Sequence, residues 1–262
     1  MASSISGKID PVVRPVTAAD IADALGKGMR DFQAAPTFGL VLGGLYALGG
    51  IVIVLSLTAL GLTYLAYPLA TGFALIGPFV AAGLYEVSRR LETREAISLG
   101  AIWRRVRSRG EIGWMAFVTV FIFIMWMYQV RFLMALFLGL NASFSTLSEF
   151  FTVVLTTTEG LLFLAVGNVV GALLSLLLFS LTVISFPLVL DRDVDCVTAM
   201  ITSIRTVAAS PVPMLAWAFL IGTLLVLSAL PFFLGLLVTL PVLGHATWHL
   251  YRRAIAPEGT PA

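Results

Sequence analysis

Polar and apolar positions in this chain fall into long blocks. No Asp, Glu, Lys or Arg occurs from Thr37 to Tyr85, from Ile112 to Val130 or from Gly160 to Leu190, and Thr206 to Pro257 holds only Arg252 and Arg253. A helix needs about 20 mostly apolar residues to cross a bilayer. The first block therefore holds two crossings, with the break at Ala59 to Tyr64. The pattern predicts an all-α polytopic membrane protein with six transmembrane helices. The remaining four are Ile112–Val130, Leu161–Leu190, Pro213 to about Leu227, and Pro231–Tyr251. The charged segments between the blocks carry a second pattern. Ile21, Leu25, Met29 and Phe32 recur at helical spacing, as do Leu99, Ile102, Trp103 and Val106, and then Val197, Met200, Ile201, Ile204 and Val207. Such stripes on charged segments predict three amphipathic helices lying in the membrane interface. Thr17 and Asp20 form a capping-box pattern at the start of the first, and Pro36 and Pro211 end the first and third. Phe132–Leu140 either prolongs the third crossing or lies flat, and a short helix is expected from Thr146.

The pattern also repeats. Pro78 to Arg90 and Pro241 to Arg253 each place a proline eleven residues before an Arg-Arg pair, and a third apolar run ends at Phe186, Pro187 and Asp191-Arg192. Ala24, Arg30 and Pro36 keep the spacing of Ala199, Arg205 and Pro211. The simplest unit is an interfacial helix, a span out and a span back, used three times at about 17–88, 89–190 and 191–253. A single domain over 17–253 is expected, with disordered cytoplasmic tails at 1–16 and 254–262.

Composition agrees with the pattern. Of 262 residues 59% are apolar and 11% charged, against roughly 25% charged in soluble domains, and the mean hydropathy is +1.01. The net charge of +2 says little, but its distribution says more. With six spans, all of the 16 Lys and Arg residues except Arg131 lie on the side of the termini. The positive-inside rule then makes the termini and the interfacial helices cytoplasmic, in a bacterial inner membrane. Arg89, Arg90, Arg94, Arg104, Arg105, Arg107 and Arg109 mark that topology or present a surface for lipid head groups or a partner. Their place directly after a span speaks against nucleic acid. One cysteine, Cys196, excludes an internal disulfide.

Candidate chemistry is sparse. His245 and His249, the two histidines, share a helical face as two metal ligands would. No cysteine accompanies them, so interfacial hydrogen bonding is the leading reading and one transition metal the alternative; no cofactor is expected. Glu86, at the step His249 occupies in the repeat, is the best candidate for a polar junction, with Arg30, Arg205, His245 and His249 as expected members. No serine or threonine has a recognisable base beside it. Gly39 with Gly43, and Gly167 with Gly171, have the spacing that lets helices approach closely.

In the segments Gly28-Met-Arg-Asp-Phe32 and Gly244-His-Ala-Thr-Trp-His-Leu-Tyr-Arg252, the chain resembles a family of bacterial integral membrane proteins known only as uncharacterised. The likeness runs from about Val16 to Arg253 and implies a proteobacterial-type inner-membrane protein without an assigned activity. An aromatic is usual in that family where Met29 stands. The span centres lack ionisable residues, which argues against ion-coupled transport. The leading expectation is a non-catalytic accessory, assembly or scaffolding component of a membrane complex, a respiratory one among the candidates, with a membrane-protein partner or a second copy beside it. The alternative is a transporter or binding protein for a lipid-like or small uncharged solute.

Overall fold

A computed structural model describes residues 11–59, 66–140 and 147–258. They form helices α1 (Ala18–Ala34), α2 (Pro36–Thr58), α3 (Ala66–Thr93), α4 (Leu99–Ser108), α5 (Gly110–Leu138), α6 (Leu147–Thr156), α7 (Thr158–Thr182), α8 (Ser185–Asp191), α9 (Cys196–Ala209), α10 (Pro211–Ala229) and α11 (Leu236–Ala254). Among the described residues the extended pairing is one bridge, Val13 to Ile255. Most of the expected break between the first two spans, and the Thr146 cap, lie outside the described residues.

Four helix starts follow directly from side chains. The Thr17 and Asp20 side chains form a reciprocal capping box before α1, and Ser98, Thr157 and Asp195 each accept a hydrogen bond from the first turn of α4, α7 and α9. Pro36 and Pro211 begin α2 and α10, where the missing N–H costs nothing. A residue before proline is driven out of the helical region. Accordingly Ala35 (φ −136°, ψ 54°) and Ser210 (φ −142°, ψ 61°) make nearly the same bend between α1 and α2 and between α9 and α10.

By length and composition α2, α5, the joined α7–α8 segment and α10 can each cross a membrane. They carry exposed Leu48, Phe121, Leu173 and Phe219 on their outer faces. The core lies where α3, α8 and α11 meet under α1 and α9, with Leu84, Val87, Leu188, Leu190, Trp248 and Tyr251 sealed from solvent. Helix α11 carries His245, His249, Arg252 and Arg253 in its second half, which makes it less apolar than the four membrane-capable segments.

Several expectations shift. The fourth expected crossing, Leu161–Leu190, is broken at Val183–Ile184, where Ser203 Oγ on α9 accepts the Ile184 N–H at 3.2 Å. The final hairpin turns at 230–235 rather than 227–231, through Phe232 and Phe233 at positive φ, so the last helix begins at Leu236. The 131–138 segment continues α5. The three stripes are rotated from the reading by apolar spacing. Helix α1 buries Ile21, Ala24 and Gly28 and leaves Met29 exposed. Helix α9 buries Ala199, Thr202, Ser203 and Thr206 and turns Val197, Ile201 and Ile204 outward. Helix α4 buries Ile102 and Val106 while Leu99 and Trp103 face out. Small side chains permit close helix contact, so they take the inner face, and the bulky apolar ones are left for the surroundings. The folded unit also reaches beyond 17–253: Arg14 N–H donates to Ala254 O at 2.7 Å and Ala256 N–H to Val12 O at 2.9 Å.

Candidate functional site

The polar groups of the core gather at one end of α3 and α11, beneath α1. Ser88 on α3 faces His245 on α11, with Oγ 2.8 Å from Nδ1. One turn further along both helices, Glu92 Oε1 lies 3.4 Å from His249 Nδ1. The two pairs have the same separation in sequence, so α3 and α11 run parallel here. Helix α1 closes the site: Asp31 Oδ2 lies 2.7 Å from His249 Nε2, and Asp20 Oδ1 accepts from Arg253 Nε at 2.7 Å. Arg252 bridges Glu92 and Asp191, each at 3.3 Å, and the Tyr251 hydroxyl donates to Asp191 at 2.7 Å.

Burial alone would push the Asp31 carboxyl up, but hydrogen bonds from His249 and Ser88 hold it below the usual carboxylate range. Ser88 lies between Asp31 and His245 and shares a hydrogen bond with the imidazole whose direction follows the tautomer. A nucleophilic triad needs the imidazole in the middle, and Ser88 is fully buried. Both ring nitrogens of His249 face carboxylate oxygens. Among the described residues no group of three or more His, Cys, Asp or Glu is arranged to hold a metal.

Glu86 is also fully buried. It accepts from Arg89 Nε at 2.8 Å and Nη2 at 3.0 Å, and from Arg90 Nε at 2.6 Å. The expected bridges to Arg30 and Arg205 are replaced by these pairs at i+3 and i+4 of one helix, which need no second element to be brought up. Arg30 and Arg205 are exposed on α1 and α9. One residue of helix rotates the chain by about 100°, so turning Asp31 inward turns Arg30 out. Arg89 also holds Glu95 at 2.8 Å and keeps its carboxyl down at about 2. The basic segment therefore divides. Arg89 and Arg90 serve Glu86, and Arg105 and Arg109 reach the last carbonyls of α8, Leu190 O at 3.0 Å and Asp191 O at 3.5 Å. Cations suit a helix C-terminus. Arg94, Arg104 and Arg107 are exposed.

The glycines divide likewise. A β-carbon on Gly39 would lie 2.8 Å from Phe32 Cδ2 and 3.1 Å from Pro241 Cβ, and one on Gly43 3.1 Å from Leu236 O. At Gly167 and Gly171 the nearest atoms would be 3.9 and 4.0 Å away, on Leu133 and Trp126. The tightest approach of α1 to α11 is at Gly28, where a β-carbon would meet Ala246 N at 2.6 Å. Asp31, Ser88, Glu92, Asp191 and Gly28 were not singled out from sequence. One signal was available: Ser88 and Glu92 share the four-residue spacing of His245 and His249.

Parallel core helices carrying a buried polar junction, ringed by helices apolar on their outer faces, define a multi-pass helical membrane protein. Residues 66–191, just under half of the chain, match the family described as predicted integral membrane protein (DUF2189), whose function is unknown. The expected resemblance to an uncharacterised membrane family is borne out over that segment. The match covers α3 to α8, and so Glu86, Ser88 and Glu92, but not the segments at 28–32 and 244–252. No curated protein and no solved structure matches the chain.

Proposed function

We propose that this protein is a non-catalytic scaffolding or accessory component of a complex in a bacterial inner membrane, built from six spans with α1, α4 and α9 as cytoplasmic interfacial helices. The observation that carries this reading is the fastening of α1 to α11 by Asp31–His249 and Asp20–Arg253. Each acidic group at the junction meets a basic one, and the outcome is a fixed surface. A rigid helix across the water-facing end of the spans suits docking, since little freedom is lost on binding. The parallel course of α3 and α11 supports an odd number of crossings between them, the three (α5, α7–α8 and α10) that six spans require. Exposed apolar residues on α4 and α9, beside exposed arginines, support an interfacial position for both. The single-residue junctions at Ala35, Arg109 and Ser210, each leading from a short helix into a long apolar one, support a threefold unit.

The test is purification from the native membrane in mild detergent, with wild type and Asp31→Asn compared. A stoichiometric protein partner that is lost when α1 is unfastened is the expected result. A protein that purifies alone, or with a partner indifferent to Asp31→Asn, overturns the reading.

A further inference from the structure

Deeper in the bundle, α2, α3, α10 and α11 leave a cavity of about 300 Å³. This lies at the lower end of the roughly 300–1,000 Å³ usual for small-molecule sites. Gly77 and Ala81 on α3 and Gly244 on α11 line it, and the two glycines make room for the Tyr46 and Leu84 side chains at its edge. Ile221 and Leu225 of α10 form an aliphatic wall, which leaves no counter-charge for an ionised ligand.

Three hydroxyl-bearing side chains reach this space: Tyr46, Tyr85 and Thr247. Thr247 donates to Leu243 O at 2.8 Å, and the Tyr46 hydroxyl lies against Gly77. Tyr85 differs. It is 7% exposed, and its hydroxyl makes no hydrogen bond within the described residues. The hydroxyl oxygen is accessible rather than sealed, yet the aliphatic wall of Ile221 and Leu225 gives it no partner, a cost that phenylalanine at the same volume would not carry. The Tyr85 hydroxyl is therefore placed for a partner that the chain does not supply. Its depth gives the partner an orientation. Tyr85 adjoins Glu86 and lies one turn from Arg89, at the polar end of α3. Gly77 is about two turns deeper.

We infer that this cavity is a binding site for an uncharged amphiphile that presents a carbonyl oxygen to the Tyr85 hydroxyl and runs an apolar chain toward Gly77. The site goes beyond the scaffolding role and does not depend on it. A quinone ring and an ester lipid share the required chemistry.

The experiment uses the full chain in detergent at fixed concentration, with three probes of equal tail length: 2-decyl-1,4-benzoquinone, methyl undecanoate and decylbenzene. Thermal unfolding is followed as each is titrated. At least one carbonyl probe is expected to stabilise the protein saturably and more strongly than decylbenzene, and the better of the two identifies the head group. Tyr85→Phe, without ligand, should be at least as stable as wild type and should weaken carbonyl-probe binding about tenfold, to the decylbenzene level. Leu225→Phe, which narrows the cavity from the half-buried wall, should abolish the response to all three. Equal responses to carbonyl probes and decylbenzene in wild type overturn the inference. So does a Tyr85→Phe protein that binds unchanged or is less stable without ligand, and a Leu225→Phe protein that binds as wild type does.

Discussion

Replacing Gly28 by alanine adds one methyl group where α1 crosses α11. A β-carbon there would lie 2.6 Å from Ala246 N, 2.7 Å from Val242 O and 3.0 Å from Ala246 Cα. Unstrained contacts between such atoms are about 3.5 Å, so the shortfall from the 2.6 Å contact is about 0.9 Å. The obstructing atoms are helix backbone and cannot rotate away; α1 must lift instead. Lifting by that amount stretches the Asp31–His249 and Asp20–Arg253 contacts, both 2.7 Å, to the limit of hydrogen bonding. Overpacking costs about 1–3 kcal/mol, and weakening a charge-assisted bond adds roughly 1.5 kcal/mol. Alanine returns about 1 kcal/mol through helix propensity, leaving a net loss of about 1.5–3.5 kcal/mol. Gly26 supplies the control, because a β-carbon there meets nothing within 4 Å. Gly26→Ala should be neutral or stabilising by up to about 1 kcal/mol. Two assays read the outcome: unfolding of the purified protein in detergent, and the rate of tryptic cleavage after Lys27 and Arg30, which rises as α1 detaches. Equal stability and equal cleavage for the two variants would refute the close approach at Gly28.

Gly171→Leu should change unfolding stability by less than about 0.5 kcal/mol, because the nearest atom to a β-carbon is 4.0 Å away; Gly39→Leu, against Phe32 and Pro241, should lose several-fold more, and comparable losses would count against the placement of α7. Asp31 is surrounded by His249, Ser88, His245 and the nearby Glu92, and its folded pKa lies below the ordinary 3.8. Its contribution is therefore complete above about pH 4 and lost as pH falls through the lower folded value. The stability gap between wild type and Asp31→Asn should be present at pH 7 and shrink below about pH 4; an unchanged gap at pH 3 would contradict the pairing. Cys196 at the start of α9 should resist membrane-impermeant thiol reagents applied to intact cells with a permeable outer membrane, and efficient labelling there would reverse the proposed orientation.

Sequence alone determined the class of this protein and the approximate limits of its helices, because bilayer solvation acts on every residue of a span and leaves a pattern twenty residues long. The apolar blocks, the Thr17–Asp20 cap and the prolines at 36 and 211 are local features, so their structural consequences could be read locally. Which residue of a helix faces which neighbour is a tertiary decision. It depends on close packing, and that is why α1 buries Gly28 rather than Met29, and α9 Ser203 rather than Ile204. The polar junction follows from the same choice. Glu86 is satisfied within its own helix by Arg89 and Arg90, and the histidines go to Ser88, Asp31 and Glu92. Those partners lie on α3 and α1, far from α11 in sequence, and only the parallel packing of α3 and α11 under α1 brings them within hydrogen-bonding distance.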